Sequence, residues 1–267
     1  MANQAWRLIR EGPSDGLWNM AVDEAILVTA NERPAAPVLR LYSWEAPALS
    51  IGRLQKDDGR INKALLREAG IPVVRRPTGG RALLHDDEVT FSLTIPAASP
   101  HYGSLAKIYS IAAGAIEKAL GGLGVELDRR EESLDGRGYF SRSSCLASRT
   151  GYELSSGGAK VAAIAQRRMK NTAMQHGSIL LSVDREKHLG LFHWPDEEAR
   201  MEAGRLMAGL DELCGRKVAR AALEDLFVQA LEGTHDISFK ASGLARAEQM
   251  MAMWIMEREK SFGREAF

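Results

Sequence analysis

The sequence contains little cysteine, no excess charge and no long apolar run, and each of these absences excludes a class of protein. Its 267 residues include only two cysteines, Cys145 and Cys214, too few for a disulfide scaffold. The 35 basic and 35 acidic side chains cancel, so no overall field attracts nucleic acid or an anionic membrane. The N-terminal residues lack a signal-peptide hydrophobic region, and no apolar run is long enough for a membrane span. We therefore expect a cytoplasmic protein with reduced thiols, without a nucleic-acid or membrane partner.

The hydrophobic periodicity predicts an α+β core that is followed by helices. Alternating apolar stretches predict strands as far as about residue 183, the last two over 161–166 and 178–183. The segment 128–150 is polar and non-periodic, which is typical of a long loop. After Asp184 helix formers dominate, and the first predicted helix there covers 197–210. The expected organisation is a core over 1–183 and a helical C-terminal extension over 184–267 that packs on the same domain.

A pair of glycines surrounded by arginines forms one candidate site. The stretch contains Arg75, Arg76, Thr78-Gly79-Gly80 and Arg81, and it ends at His85. Adjacent glycines after a strand let backbone amides approach a bound anion or carbonyl, and the arginines supply further donors. The same pattern also describes an ordinary hairpin turn, and a lone histidine before two aspartates is often only a turn residue. The stretch alone therefore leaves both interpretations open.

A cysteine and a lysine fifteen residues apart form the second candidate site. Cys145 lies in a polar segment, where packing gives little reason for a thiol, whereas Cys214 has the character of a small buried residue. A thiolate is nucleophilic and forms a reactive thioester, and a neighbouring ammonium group lowers the pKa of a thiol. A lysine after glycines is commonly a solvated turn residue, so the case for Lys160 depends on its pairing with Cys145.

Motifs spread over nearly the whole chain are similar to those of one known family. They comprise residues 19–25, 75–86 and 90–92, Cys145, residues 152–154, 160–166 and 175–181, and a tail over 210–218. With these motifs the chain resembles the biotin/lipoate protein ligase superfamily, and within it the lipoyl(octanoyl)transferases of Gram-positive bacteria. The implied fold is a class II aminoacyl-tRNA synthetase/biotin synthetase-like α+β core, in which helices flank a central mixed sheet.

The resemblance also implies a reaction and a set of site residues. An octanoyl group moves from acyl carrier protein to a lysine of a lipoyl domain or of glycine cleavage H protein, without a cofactor. Cys145 matches the cysteine that forms the thioester, and Lys160 matches the lysine that lowers its pKa. The implied substrate-binding residues are Arg75, Thr78, Gly79, Gly80, Arg81, Ala82, His85, Gln166, His176 and Gly177.

Departures from the family pattern keep two other functions open. Leu146 stands where the family commonly has an aromatic residue, and the residues on either side of Lys160 also differ. An ATP-dependent lipoate or octanoate ligase of the same superfamily would use ATP and Mg²⁺ to make an acyl-adenylate and would need no cysteine. Such ligases usually have a third glycine where Arg81 stands. A non-catalytic module that only recognises lipoyl domains is the third possibility.

Overall fold

The computed structural model describes residues 5–128 and 154–262, which form ten strands and eight helices. The strands are β1 (Trp6–Ser14), β2 (Val38–Trp44), β3 (Ala48–Ile51), β4 (Val73–Arg75), β5 (Leu83–His85), β6 (Glu88–Pro96), β7 (Leu154–Ser156), β8 (Ala159–Arg168), β9 (Thr172–Leu180) and β10 (Phe239–Ala241). The helices are α1 (Gly16–Glu32), α2 (Lys63–Glu68), α3 (Leu105–Gly121), α4 (Arg185–Gly190), α5 (Glu197–Arg205), α6 (Leu210–Cys214), α7 (Arg220–His235) and α8 (Arg246–Phe262).

The strands form one large mixed sheet and one small sheet. The seven-stranded sheet has the order β10-β1-β2-β6-β9-β8-β7. In it β1 is parallel to β2 and β10, and the pairs from β2 to β7 are antiparallel. The three-stranded sheet has the order β4-β3-β5. Helices pack around the large sheet, so the expected α+β fold with a central mixed sheet is confirmed.

Alternation along the central strands divides the sheet into an apolar and a polar face. Leu41 and Phe91 belong to the main core together with Ile111 of α3 and Phe227 of α7. Their neighbours along β2 and β6 point to the other face, where they meet α1 in a layer of buried polar side chains. Helix α8 packs against the outside of α1. This buried polar layer contains the candidate site.

Helix α1 is held in register by a side-chain cap at its first turn. The carboxylate of Asp15 accepts hydrogen bonds from the backbone N–H groups of Leu17 (2.8 Å) and Trp18 (3.2 Å). Such a cap stabilises a helix by about 1 kcal/mol, because it satisfies donors that have no partner within the helix. The helix then presents Asn19 and Asp23, one turn apart, to the polar face of the sheet.

Two predicted boundaries were wrong because tertiary contacts decide them. Strand β9 begins at Thr172 rather than at residue 178, and its polar residues are buried, so no exposed face marks it in the sequence. The predicted helix over 197–210 ends at Arg205, because the next residues pair with β8. The N–H of Lys160 donates to the carbonyl of Leu206 (2.8 Å), and the N–H of Ala208 donates to the carbonyl of Lys160 (3.0 Å).

The C-terminal segment contains a strand as well as helices, since β10 extends the large sheet beside β1. The polar segment predicted as a long loop lies almost entirely outside the described residues, because 129–153 are not among them. Within the described part of the chain, none of the helices combines the length and the apolar character that crossing a membrane requires.

Candidate functional site

A small cavity lies between β8, β9 and the segment that joins β4 to β5. Its lining residues are Arg76, Leu83, His85, Ala163, Ile164, Ala165, His176, Gly177 and Ser178. Its volume is about 20 Å³, which is room for about one water molecule, so a longer ligand requires the lining side chains to move apart. The apolar side chains come from β8 and from Leu83, while Arg76, the two histidines and the serine supply the polar part of the lining.

The Arg76 side chain holds the glycine loop against the small sheet. Its guanidinium donates to the carbonyls of Gly79 (2.7 Å) and Arg81 (2.7 Å) and to the hydroxyl of Ser50 (3.0 Å). Gly80 has φ +92°, and a Cβ at this position would lie 2.6 Å from an Arg76 nitrogen. The loop conformation therefore requires glycine at position 80.

The glycine loop turns its carbonyls inward and leaves its amides available. The Gly79 carbonyl accepts two hydrogen bonds from Arg76. In residues 5–128 and 154–262 the backbone N–H groups of Gly79 and Gly80 donate no hydrogen bond. Two adjacent amides of this kind are suited to stabilising the negative oxygen of a carbonyl under attack.

His85 is held at both ring nitrogens. Nδ1 lies 2.6 Å from a Glu88 carboxylate oxygen, and Nε2 lies 2.7 Å from the Ser50 hydroxyl. The ring also stacks on Trp44, with 4.1 Å between centroids. Burial alone would raise the pKa of Glu88, but His85 and hydrogen bonds, among them one from Ser178, lower it below its ordinary value. Glu88 is therefore a buried carboxylate, and it fixes the orientation of His85.

Lys160 lies beside His188, a residue to which the sequence analysis assigned no role. Both side chains are buried. Burial, followed in size by the charge of Lys160 and then by His85, lowers the pKa of His188 to about 4. His188 is consequently neutral at neutral pH, and the side chain of Lys160 lies in a largely water-excluded region. A charge at such a site acts more strongly on a neighbouring thiol than it would in water.

The far end of the cavity is backed by a buried chain of polar groups. The Tyr42 hydroxyl lies 2.7 Å from Asp23 and 2.7 Å from Nε2 of His176. The same carboxylate accepts hydrogen bonds from Arg40 (2.9 Å) and Ser92 (2.7 Å). Because a carboxylate only accepts, Tyr42 donates to Asp23 and receives the Nε2 proton of His176.

That assignment leaves the other nitrogen of His176 as an acceptor. Nδ1 is buried and has no hydrogen-bond partner in the described structure. Burial lowers the pKa of His176 to about 4. The charge of Asp23 acts in the opposite direction but offsets only part of this decrease. The ring is therefore neutral near pH 7. The neutral imidazole adds no positive charge to the cavity, and the guanidinium of Arg76, which also lines it, is bound to carbonyls of the glycine loop. This arrangement suits an uncharged acyl chain.

The structure brings some of the predicted site residues together and separates others. Gly80, His85, His176 and Gly177 lie at or beside the cavity, and Lys160 lies near His188. The side chain of Arg75 instead reaches the carbonyls of the loop after β3, and Ala82 packs in the apolar cluster beneath the small sheet. The predicted residues Thr78 and Gln166 each carry a buried oxygen without a hydrogen-bond partner among the described residues. Cys145 lies outside the described residues.

Sequence reasoning missed the polar residues behind the cavity. Asp23 lies in a motif that supported the family resemblance, and a signal was available, because an acid on the inward face of a helix needs a buried partner. His188 follows the core strands in a short helix and carried no such signal. Within the described ranges, no group of three His, Cys, Asp or Glu side chains is arranged to hold a metal ion.

Comparisons with known proteins agree on one family. The profile of the lipoyl protein ligase A/B catalytic domain matches residues 15–232. The chain is 34% identical over 257 residues to an octanoyltransferase LipM of Moorella thermoacetica, and the match covers 93% of each sequence. It is 32% identical over 257 residues to an octanoyltransferase LipM of Bacillus subtilis, with 93% of this chain and 92% of the relative covered.

Solved structures share the fold at lower identity. A lipoate-protein ligase A bound with ATP has a TM-score of 0.80 at 19% identity, with 97% of this chain and 96% of the other covered. A bipartite lipoate protein ligase from Thermoplasma acidophilum has a TM-score of 0.78, also at 19% identity, with coverage of 97% and 94%. At this identity the likeness establishes the fold alone.

Proposed function

The chain belongs to the lipoyl protein ligase A/B catalytic domain family, and we propose from this premise that it is an octanoyltransferase of protein lipoylation. The observation that carries the proposal is the set of relatives named octanoyltransferase LipM, which match this chain at 32–34% identity over more than 90% of their length. The enzyme is thus an acyltransferase. We propose that its octanoyl donor is acyl carrier protein and that its acceptor is a lysine of a lipoyl domain or of glycine cleavage H protein, both met in the cytoplasm.

The proposed reaction consists of two acyl transfers and uses neither ATP nor a metal ion. In the first, the thiolate of Cys145 attacks the thioester carbonyl of the donor, and the thiol of the carrier leaves. In the second, the neutral amine of the acceptor lysine attacks the Cys145 thioester. The amine loses a proton, an amide forms and the Cys145 thiol is restored. The amides of Gly79 and Gly80, which donate no hydrogen bond among the described residues, are suited to stabilise the oxyanion in both steps.

The environment of Lys160 supports its role as the cation that activates Cys145. Its side chain is buried, and both its main-chain N–H and its carbonyl form hydrogen bonds with the segment 206–208. The neutral state of His188 leaves Lys160 without a competing positive charge on that ring. A buried ammonium group within reach of the thiol would favour the thiolate, which is the nucleophilic form.

The apolar part of the cavity lining suits an acyl chain. Leu83, Ala163 and Ile164 form an apolar wall, and neutral His176 closes the far end. Burial of the six methylenes of an octanoyl chain contributes roughly 5 kcal/mol, at about 0.8 kcal/mol each. This free energy of chain burial offsets the cost of moving the lining side chains apart.

The test is the formation of an acyl-enzyme without ATP. Purified protein is incubated with octanoyl-acyl carrier protein, and intact mass is recorded before and after hydroxylamine treatment. We expect one octanoyl adduct that hydroxylamine removes and that is absent from Cys145→Ser. The matched control is Cys214→Ser, since Cys214 is the other cysteine of the chain, and this variant retains the adduct.

Two other outcomes would overturn the proposal. Modification of a lipoyl domain that requires ATP and free octanoate, and that survives Cys145→Ala, would make the protein a ligase. Binding of a lipoyl domain without transfer under either condition would make it a non-catalytic module.

A further inference from the structure

A second cleft opens on the other side of the glycine loop. It has a volume of about 320 Å³ and lies between α1, α8 and the loop that follows β3. Its lining residues are Leu17, Met20, Ala21, Glu24, Arg53, Leu54, Arg75, Arg76, Pro77, Arg167, Ile255, Arg258 and Glu259. Arg76, which holds the glycine loop, lines both this cleft and the small cavity, so the two spaces have this residue in common.

The cleft is strongly cationic in a chain with no net charge. Five arginines and two glutamates line it, which leaves an excess of three positive charges. The acids are already engaged, since Glu24 lies 3.4 Å from both Arg167 and Arg258, and Glu259 lies 2.8 Å from Arg258. Arg53 is exposed and forms no ion pair within the described part of the chain. The carboxylates of the lining therefore balance only part of its positive charge.

The mouth of the cleft is preorganised and carries apolar side chains. The Arg75 guanidinium donates to the carbonyls of Gly52 (2.9 Å) and Gln55 (3.0 Å), which holds the loop that bears Arg53 and Leu54. Leu54 is 79% exposed. On α8 the guanidinium of Arg258 lies over the ring of Trp254, which is itself 58% exposed. Arginines bordered by exposed apolar side chains are typical of a protein-binding surface.

We propose that this cleft binds the acyl carrier protein and that its arginines hold the phosphodiester of the carrier's prosthetic arm. The inference rests on the proposed function, which supplies the thioester donor. Guanidinium groups match the geometry of phosphate oxygens, and a fixed arginine loses little freedom on binding. With the phosphodiester in the cleft, the arm extends past Arg76 towards the glycine loop, where the thioester carbonyl is attacked.

Charge complementarity selects the donor over the acceptor as occupant. The reacting group of the acceptor is a lysine, which is cationic until it loses its proton, and five arginines would repel it. The donor carries an anion at the root of its arm and an uncharged thioester at its tip. The cationic cleft would therefore receive the anion at the root of the arm, and the apolar cavity would receive the acyl chain at its tip.

The experiment measures the first acyl transfer with two donors. Arg53→Glu reverses a charge of the cleft that forms no ion pair among the described residues, and the matched control Arg216→Glu reverses an exposed arginine outside the cleft. We expect Arg53→Glu to raise the KM for octanoyl-acyl carrier protein about tenfold, with Arg216→Glu unchanged. With octanoyl-pantetheine, which lacks the phosphodiester and the protein, all three proteins form the Cys145 adduct at equal rates.

Binding separates the failure of this proposal from the failure of the proposed function. In a Cys145→Ser background, the affinity for acyl carrier protein is measured with and without Arg53→Glu. Equal affinities, or an equal loss of rate with both donors, would overturn the docking proposal while leaving the transferase intact. A loss of rate confined to the second transfer, from octanoyl-enzyme to a lipoyl domain, would assign the cleft to the acceptor. That result would also overturn the docking proposal. No adduct of the unmodified protein with either donor would instead count against the proposed function.

Discussion

The hydroxyl of Tyr42 lies 2.7 Å from Nε2 of His176 in a layer that solvent does not reach. Since the hydroxyl proton points to Asp23, this contact decides which nitrogen of His176 carries a proton. The other ring nitrogen, Nδ1, is then an acceptor that is available to a group bound in the cavity. Burial also raises the pKa of Tyr42 well above its ordinary value, so the hydroxyl stays protonated. Through its two contacts, the Tyr42 hydroxyl links Asp23 of helix α1 to His176 in the lining of the small cavity.

Removal of this hydroxyl is expected to destabilise the protein. Tyr42→Phe leaves a buried carboxylate oxygen of Asp23 and the Nε2 proton of His176 without their partner, which costs about 1–3 kcal/mol. Tyr102→Phe is the matched control, because its ring is half-buried and its hydroxyl has no hydrogen bond among the described residues. Urea unfolding measures both variants. Equal free energies of unfolding for the two would contradict the assigned network.

Stability is expected to fall as the pH drops from about 6.5 towards 4. His176 and His188 have native pKa values of about 4, against an ordinary value of 6.5. In this window the unfolded chain binds protons that the native protein does not, so stabilisation present above pH 6.5 is lost on acidification. Each histidine contributes a slope of up to about 1.4 kcal/mol per pH unit.

Urea unfolding at several pH values between 7 and 5 measures this slope above the range in which carboxylates titrate. His188→Gln should reduce it, whereas the exposed control His193→Gln should leave it unchanged. A slope that is the same in all three proteins would show that His188 is not buried as a neutral ring.

The two glycines of the loop are expected to differ in their tolerance of a methyl group. At Gly80 the Cβ of alanine would meet Arg76, and φ is +92°, so we expect strain of about 1–3 kcal/mol. At Gly79 no atom lies within 4 Å of an added Cβ. Gly80→Ala should therefore slow acyl-enzyme formation about tenfold or more, and Gly79→Ala much less. The measurement is the rate of adduct formation by intact mass, and equal rates would contradict the loop geometry.

Removal of the Lys160 charge is expected to make the thiol of Cys145 less acidic. In a Cys214→Ser background, which leaves Cys145 as the one thiol of the sequence, the pH dependence of alkylation by iodoacetamide reports its pKa. Lys160→Met should move the midpoint upward by about one pH unit or more. Lys170→Met, at an exposed lysine, is the control. Identical profiles for the two variants would refute an electrostatic link between Lys160 and Cys145.

Local sequence patterns predicted the types of most elements, because apolar periodicity reflects which face of a helix or strand is buried. They failed where polar residues are buried. Gln175 and His176 of β9 are both buried, so the pattern that marks a half-exposed strand is missing there, and the predicted strand began too late. They failed again at residues 206–208, where pairing with Lys160 ends a helix that local propensity would continue.

The candidate site was predicted in part, for a similar reason. Gly80 and His85 lie in one continuous motif, so their proximity follows from the chain itself. Asp23, Tyr42 and His176 come from α1, β2 and β9, and no spacing along the sequence relates them. Only the register of the central strands, which pairs Arg40 with Ser92 and Ser92 with His176, aligns these side chains on one face.

The amino-acid sequence alone determined which chemical groups are available: a thiol, a lysine that can be buried, a glycine pair, and arginines that help to balance the acidic side chains overall. Those properties belong to composition and to short motifs, and folding does not alter them. The tertiary structure decided where charge is concentrated. It gathers arginines from the loop after β3, from β4, β8 and α8 around one cleft, and it lowers the pKa of two histidines by removing water from them. Solvent exclusion and long-range packing create these effects, and neither is a property of any local segment.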